Sequence, residues 1–199
     1  MNKALAKNWI NLFQKMDHLE VDLCYSINNY GENQYIRSFF RYISRLGDGF
    51  FWYIAIIALP IIYGLDGLIS LIDIACGGVI SIAIYWYLKN RLVRERPYIS
   101  FRSVIPHIMP LDRYSFPSGH TMNAVNFSLM IGYFHPILLF IVIPFTFLVA
   151  ISRVVLGMHY PSDVVIGALL GSMVAYCVIL LQPSYSVINS IKTIGIYLI

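Results

Sequence analysis

Between Arg113 and Arg153 the chain runs for 39 residues without an Asp, Glu, Lys or Arg. One membrane span takes about 20 apolar residues, so this stretch is too long for one crossing. Gly132-Tyr133-Phe134-His135-Pro136 divides it and predicts a hairpin with arms over residues 120–135 and 137–152. Hydrocarbon supplies no hydrogen bonds to a backbone, so apolar runs of this kind must satisfy their own peptide groups as helices. Composition agrees: of 199 residues, 58% are hydrophobic and only 12% charged, whereas a soluble domain is about 25% charged. A disordered chain is excluded, because disorder requires few apolar residues. A soluble globular domain could not hide this much apolar surface.

Other spans follow from the same pattern. Residues 50–64 carry no charge and contain Pro60, with Phe50, Phe51, Trp52 and Tyr53 suited to an interface. Gly64-Leu65-Asp66-Gly67 reads as a tight turn. Residues 67–88 form a full-length span whose one charge is Asp73, and residues 164–181 form another, closed by Gln182-Pro183. Asp73 is expected either to snorkel to the interface or to find a polar partner such as Asn123 or Asn126. Gly167 and Gly171 form a small-xxx-small pattern that permits close helix approach, within the bundle or between copies of the chain. Cys24, Cys76 and Cys177 have no paired spacing, so neither a disulfide framework nor a zinc site is indicated. Residues 1–11 lack the apolar core of a cleavable signal.

The expected fold is all-α: a polytopic membrane helical bundle with five to six transmembrane helices and a polar active site at one membrane face. Three regions are expected: an N-terminal amphipathic or interfacial helical region over 1–48, a membrane-embedded domain over 49–183, and a tail or short sixth helix over 184–199. Within the first, residues 32–45 show helical spacing with Arg37, Arg41 and Arg45 on one face. Such a helix lies on the membrane or packs on the bundle.

The net charge of +4 sits in one place, since residues 89–114 hold six basic and two acidic side chains and the remainder balances to zero. Counting crossings brings residues 89–120 and 153–163 to the same membrane face. Three polar motifs lie in these segments: Lys89 followed after six residues by Arg96-Pro97, then Pro117-Ser118-Gly119-His120, then Ser152-Arg153 through His159 to Asp163.

Their chemistry is coherent. Lys89, Arg96 and Arg153 carry donors suited to phosphate oxygens. Ser118 and Gly119 precede a helix start, where backbone N–H groups and the dipole favour an anion. His159 and His120 suit nucleophile and proton donor. Asp163, four residues beyond His159, is placed to accept from its ring N–H and to fix the tautomer. No carboxylate cluster offers itself to a metal. Taken singly, each residue has a structural explanation: interfacial anchors for Lys89 and Arg96, a capping role for His120, a first-turn carboxylate for Asp163.

Together the three motifs resemble the signature of the type 2 phosphatidic acid phosphatase superfamily, which includes the vanadium haloperoxidases. The pattern Lys-x6-Arg-Pro, Pro-Ser-Gly-His and Ser-Arg-x5-His-x3-Asp is present without a departure. The resemblance covers roughly residues 50–181 and implies roles residue by residue. Lys89, Arg96 and Arg153 would clamp phosphate oxygens, with Ser118 and the Gly119 amide assisting. His159 would become phosphohistidine, Asp163 would orient it, and His120 would protonate the leaving oxygen and then activate water. Arg91, Arg94, Arg102 and Arg113 lie outside the signature and read either as attractors of anionic headgroups or as solvated decoration.

The resemblance implies an integral-membrane lipid phosphatase with no cofactor or metal and a phosphorylated lipid substrate. Undecaprenyl diphosphate is the first expectation; phosphatidylglycerophosphate and phosphatidic acid come next. The alternatives are a lipid phosphotransferase and a non-enzymatic membrane module. Its partners would be membrane lipids and not nucleic acid. Its place would be a bacterial inner membrane, with the active site on the periplasmic or outer side.

Overall fold

The computed structural model describes residues 3–109, 113–182 and 184. The tail expected over 184–199, with its option of a sixth span, lies outside the described residues apart from Ser184.

The N-terminal part consists of α1 (Lys3–Asn28) and α2 (Gln34–Arg45). Asn33 starts α2 by accepting from the Tyr35 amide at 2.9 Å. The helical path does not stop at Gly47-Asp48-Gly49, although two glycines flanking an aspartate ordinarily break a helix. It continues through a π-helical turn over Leu46–Phe50, with Gly49 at φ 136°, into α3 (Phe51–Tyr63). A π-helical turn adds a residue to the ladder and bends the path, and only glycine adopts this φ without strain.

Gly64 then reverses the chain and α4 (Leu65–Arg91) begins at once. It extends past both ends of the expected span, and Lys89 and Arg91 in its last turn complement the helix dipole. After α4 come the single turn α5 (Pro97–Ser100), α6 (Gly119–Phe134), α7 (Leu139–Val155) and α8 (Pro161–Leu181). The α6–α7 hairpin turns at His135-Pro136, as the charge-free stretch predicts. Pro161 occupies the first turn of α8, where its missing N–H costs nothing.

Five apolar helices, α3, α4, α6, α7 and α8, form the membrane bundle. Helix α6 lies at its centre, packed on α4, α7 and α8. Ile74, Met122, Met130, Ile131, Val149 and Ala175 are fully buried there. Trp52 stands between the rings of Phe127 and Phe145, each centred 5.5 Å away. On the outside, Ile54, Ile61, Phe140, Phe147, Leu169 and Met173 are exposed, an apolar exterior that matches lipid tails.

Gly167 and Gly171 both serve internal packing. A Cβ on Gly167 would stand 2.6 Å from the Ser118 carbonyl oxygen, and one on Gly171 would collide with that of Met122. The pair therefore sets the approach of α8 to α6.

Asp73 neither snorkels nor meets an asparagine. It is 1% exposed, and its two carboxylate oxygens accept from the Ser184 amide at 2.8 Å and the Ser184 hydroxyl at 2.7 Å. Ser184, three residues beyond α8, supplies both donors. The side chain of Asn126 is buried instead beside Gly77.

Candidate active site

The three motifs meet at one end of the bundle, as the count of crossings predicts. The Ser118 amide donates to the Asp163 carbonyl at 3.1 Å, joining the second motif to the third. Arg96 joins the first to the third: its Nη1 donates to the Met158 carbonyl at 2.8 Å and lies 3.5 Å from Nε2 of His159.

His159 follows α7 in a loop that Gly157 turns with φ 72°. It is 2% exposed. Burial and the charges of Arg96 and Arg153 hold this imidazole well below the usual histidine range. A neutral ring beside a guanidinium presents a lone pair at Nε2 and carries its proton at Nδ1. That is the state a nucleophile needs. His120 and Lys89 also act on it electrostatically, which places five predicted residues around one point.

One expected contact is not made. His159 Nδ1 stands 3.7 Å from Asp163 Oδ2, beyond hydrogen-bond distance. Asp163 spends both oxygens elsewhere. Oδ1 accepts from Arg94 Nη1 at 2.6 Å, and Oδ2 accepts from the Tyr160 amide at 2.9 Å, where it closes the first turn of α8. A shift of less than about 1 Å would bring Nδ1 within range, and such contacts commonly tighten only when substrate is bound.

The remaining signature residues stand at the ends of α4 and α6. Lys89 donates to the Tyr85 hydroxyl at 2.5 Å and lies over that ring. Gly119 begins α6 against the same ring, which a Cβ would approach to 2.9 Å. The Ser118 hydroxyl is buried and pairs with Thr121 at 2.9 Å. With Gly119 and His120 it opens α6, whose first amides have no partner within the helix.

Three contributors escape the signature. Arg94, read as decoration or a headgroup attractor, is neither: its side chain is 0% exposed. Besides Asp163 it donates to Asp17 at 2.8 Å and Ser162 at 2.7 Å, and it lies 4.0 Å over the Tyr160 ring. Ser44 of α2 pairs with Arg153, and Asp48 of the α2–α3 junction pairs with Nε2 of His120. The two glycines that flank Asp48 are the one hint of it in the sequence. Arg94 and Ser44 carried no distinguishing signal.

Helix α1 also reaches the site, since Glu20 accepts from the Ser162 amide at 2.8 Å. Helix α2 packs on α7, with Ile43 and Ser44 buried, while Tyr35, Phe39 and Tyr42 remain exposed. Among the described residues, no three His, Cys, Asp or Glu side chains stand together as a metal-binding group.

Known proteins resemble this chain in sequence and in fold. The chain is 29% identical over 157 residues to an undecaprenyl-diphosphatase of Sulfolobus acidocaldarius, covering 76% of this chain and 73% of that one. It is 32% identical over 100 residues to a decaprenylphosphoryl-5-phosphoribose phosphatase of Mycobacterium tuberculosis, covering 49% of this chain and 53% of that one. The chain thus spans about half the length of the first curated relatives it matches. The crystal structure of Aquifex aeolicus LpxE superposes with a TM-score of 0.65 at 26% identity, over 81% of this chain and 94% of that one. The transmembrane phosphatidylglycerolphosphate phosphatase of Bacillus subtilis shares the fold, with a TM-score of 0.57 at 21% identity, over 89% of this chain and 96% of that one. The PAP2 superfamily profile matches residues 67–185, so that the motifs, the helical bundle and the match together make this chain a member of the PAP2 superfamily.

Proposed function

We propose that this protein is an integral-membrane phosphatase that releases phosphate from a lipid phosphomonoester or diphosphate through a phosphohistidine at His159. The observation that carries this reading is the setting of His159: buried, with Nε2 3.5 Å from Arg96 Nη1, where burial and the site cations hold the imidazole well below the usual histidine range.

In the first step Nε2 attacks phosphorus and the bond from phosphorus to the leaving oxygen breaks. His120, as imidazolium, gives its proton to that oxygen. In the second step the now neutral His120 takes a proton from water. The hydroxide attacks phosphorus, the P–N bond breaks, and inorganic phosphate departs. Lys89, Arg96 and Arg153 hold the equatorial oxygens, assisted by Ser118 and the Gly119 amide, and stabilise charge most where it is greatest. Asp163 orients His159.

Undecaprenyl diphosphate is the preferred substrate, followed by phosphatidylglycerophosphate and phosphatidic acid. Support comes from the relatives named for polyprenyl and glycerol lipids. It also comes from the apolar exterior beside a cationic site, which fits a phosphate head on a hydrocarbon tail. No metal is required in this reading, because the charge-stabilising groups are side-chain cations.

The site end faces the outer side of a bacterial cytoplasmic membrane. Arg94, Arg96 and Arg153 are buried in the site, so they do not count toward the loop charge that sets orientation. A compartment-specific reporter fused to the C-terminus tests this placement.

The deciding experiment is a phosphate-release panel on purified protein with these lipids, with and without chelator. His159→Ala is expected to abolish release from a protein that still folds, read as a cooperative thermal transition. Retained release would remove His159 as nucleophile. Loss of wild-type release in chelator would remove the metal-free mechanism.

A further inference from the structure

The family match begins at residue 67, yet Asp48, nineteen positions earlier, touches the proton donor of the proposed reaction. The backbone there is specialised. Leu46–Phe50 is π-helical, Gly49 takes φ 136°, and a Cβ on Gly47 would stand 2.9 Å from Val149 of α7. Between these two glycines the Asp48 carboxylate meets Nε2 of His120.

We propose that Asp48 is the positioning residue of His120, and that the α2–α3 junction thereby supplies a second His–Asp pair to the site. This rests on the phosphatase reading above. An imidazole has two nitrogens on opposite sides of the ring. With Nε2–H donated to Asp48, Nδ1 is the nitrogen left for the leaving oxygen. The carboxylate fixes the ring orientation and stabilises the imidazolium that must exist before proton transfer. His120 then gives the Nδ1 proton to the leaving oxygen, and recovers one at Nδ1 from water in the second step. Asp48 stays ionised throughout.

The other charged groups around the pair work against it or alongside it. Arg153 and Arg96 face His120 and disfavour its charge, whereas Arg153 and Arg45 face Asp48 and favour the carboxylate. Asp48 is thus the negative group that opposes the site cations at His120, and a phosphate arriving with substrate adds to it. Its side chain is 56% exposed. An exposed ion pair contributes little to folding, so its removal leaves a folded protein to assay.

The test compares two phosphomonoesters of equal chain length, one an alkyl ester with a poor leaving group and one a nitrophenyl ester that departs without a proton. Wild type, His159→Ala, Asp48→Asn and Asp48→Glu are purified as full chains, and their thermal transitions are compared. Proton donation is worth on the order of a hundredfold. Asp48→Asn is therefore expected to lower kcat/KM on the alkyl ester by about that factor and to leave kcat/KM on the nitrophenyl ester, which reports the first step alone, within about threefold. Asp48→Glu should recover part of the alkyl activity. An equal loss of kcat/KM on both esters, or no loss on either, overturns the role of Asp48 while the phosphatase reading stands. Turnover by His159→Ala overturns the phosphatase reading, and this inference with it.

Discussion

The site has two walls of opposite character. The wall behind the nucleophile is sealed: His159 is 2% exposed, Asp163 is 0% and Arg94 is 1%. The wall at the leaving-group side is open, with the side chains of His120 and Asp48 exposed to 28% and 56%. The difference follows from the proposed work of each. A nucleophile is best held dry and fixed, where fixed charges act strongly. The proton donor must meet a lipid that arrives from the membrane and leaves again. Substitutions in the sealed wall should therefore change stability and turnover together, and those in the open wall turnover alone.

The sharpest break of that contrast is Asp163→Asn. It keeps the size of the side chain but removes the charge that faces both His159 and Arg94, so kcat should fall by about 10³–10⁴, as loss of the orienting carboxylate does in hydrolytic triads. Steady-state phosphate release reads this, and a fall below tenfold would end the orienting role. Next is Arg94→Met, which leaves Asp163, Asp17 and Glu20 without their shared cation. Breaking such a buried network should cost about 3–5 kcal/mol, visible as a lowered thermal transition in detergent. A transition unchanged from wild type would show that α1 does not secure the sealed wall.

A smaller effect belongs to Ser44→Ala, which removes the α2 hydroxyl paired with Arg153. A hydrogen bond to a charged group is worth about 1.5–3 kcal/mol, so the inhibition constant for inorganic phosphate should rise about tenfold or more. No change would leave Arg153 positioned by its other contacts alone. The smallest effect is expected from Arg113→Gln. Arg113 pairs with Glu95 at the surface, with side chains 64% and 39% exposed. Such pairs contribute at most about 1 kcal/mol, and kcat/KM should stay within about twofold. A tenfold loss would instead make the exposed cations part of substrate capture.

Arg94 and Arg113 also show where a sequence reading stops. Both stand in the same basic segment and count equally toward +4. One is enclosed by carboxylates from two helices and an aromatic ring; the other lies on the surface. Nothing within a few residues of either distinguishes them, because the partners of Arg94 lie 77 and 69 positions away in the chain. Asp73 teaches the same: its donors come from Ser184, 111 residues on, rather than from the asparagines one helix away. Asp163 adds a further lesson. Spacing alone places it beside His159, but its position in the first turn of α8 gives it a competing task, closing that turn through the Tyr160 amide.

By itself the sequence determined the apolar helices, the α6–α7 turn and the approach of the three polar motifs to one another at one end of the bundle. Lipid leaves an apolar backbone no structure but the helix, and each crossing of known length reverses the side on which the next loop emerges. Tertiary structure alone decided which carboxylate holds which cation or histidine. A charged side chain takes the best partner within reach, and that reach depends on where α1 and the α2–α3 junction come to lie against the bundle. The pairs Arg94–Asp163 and Asp48–His120 were settled there.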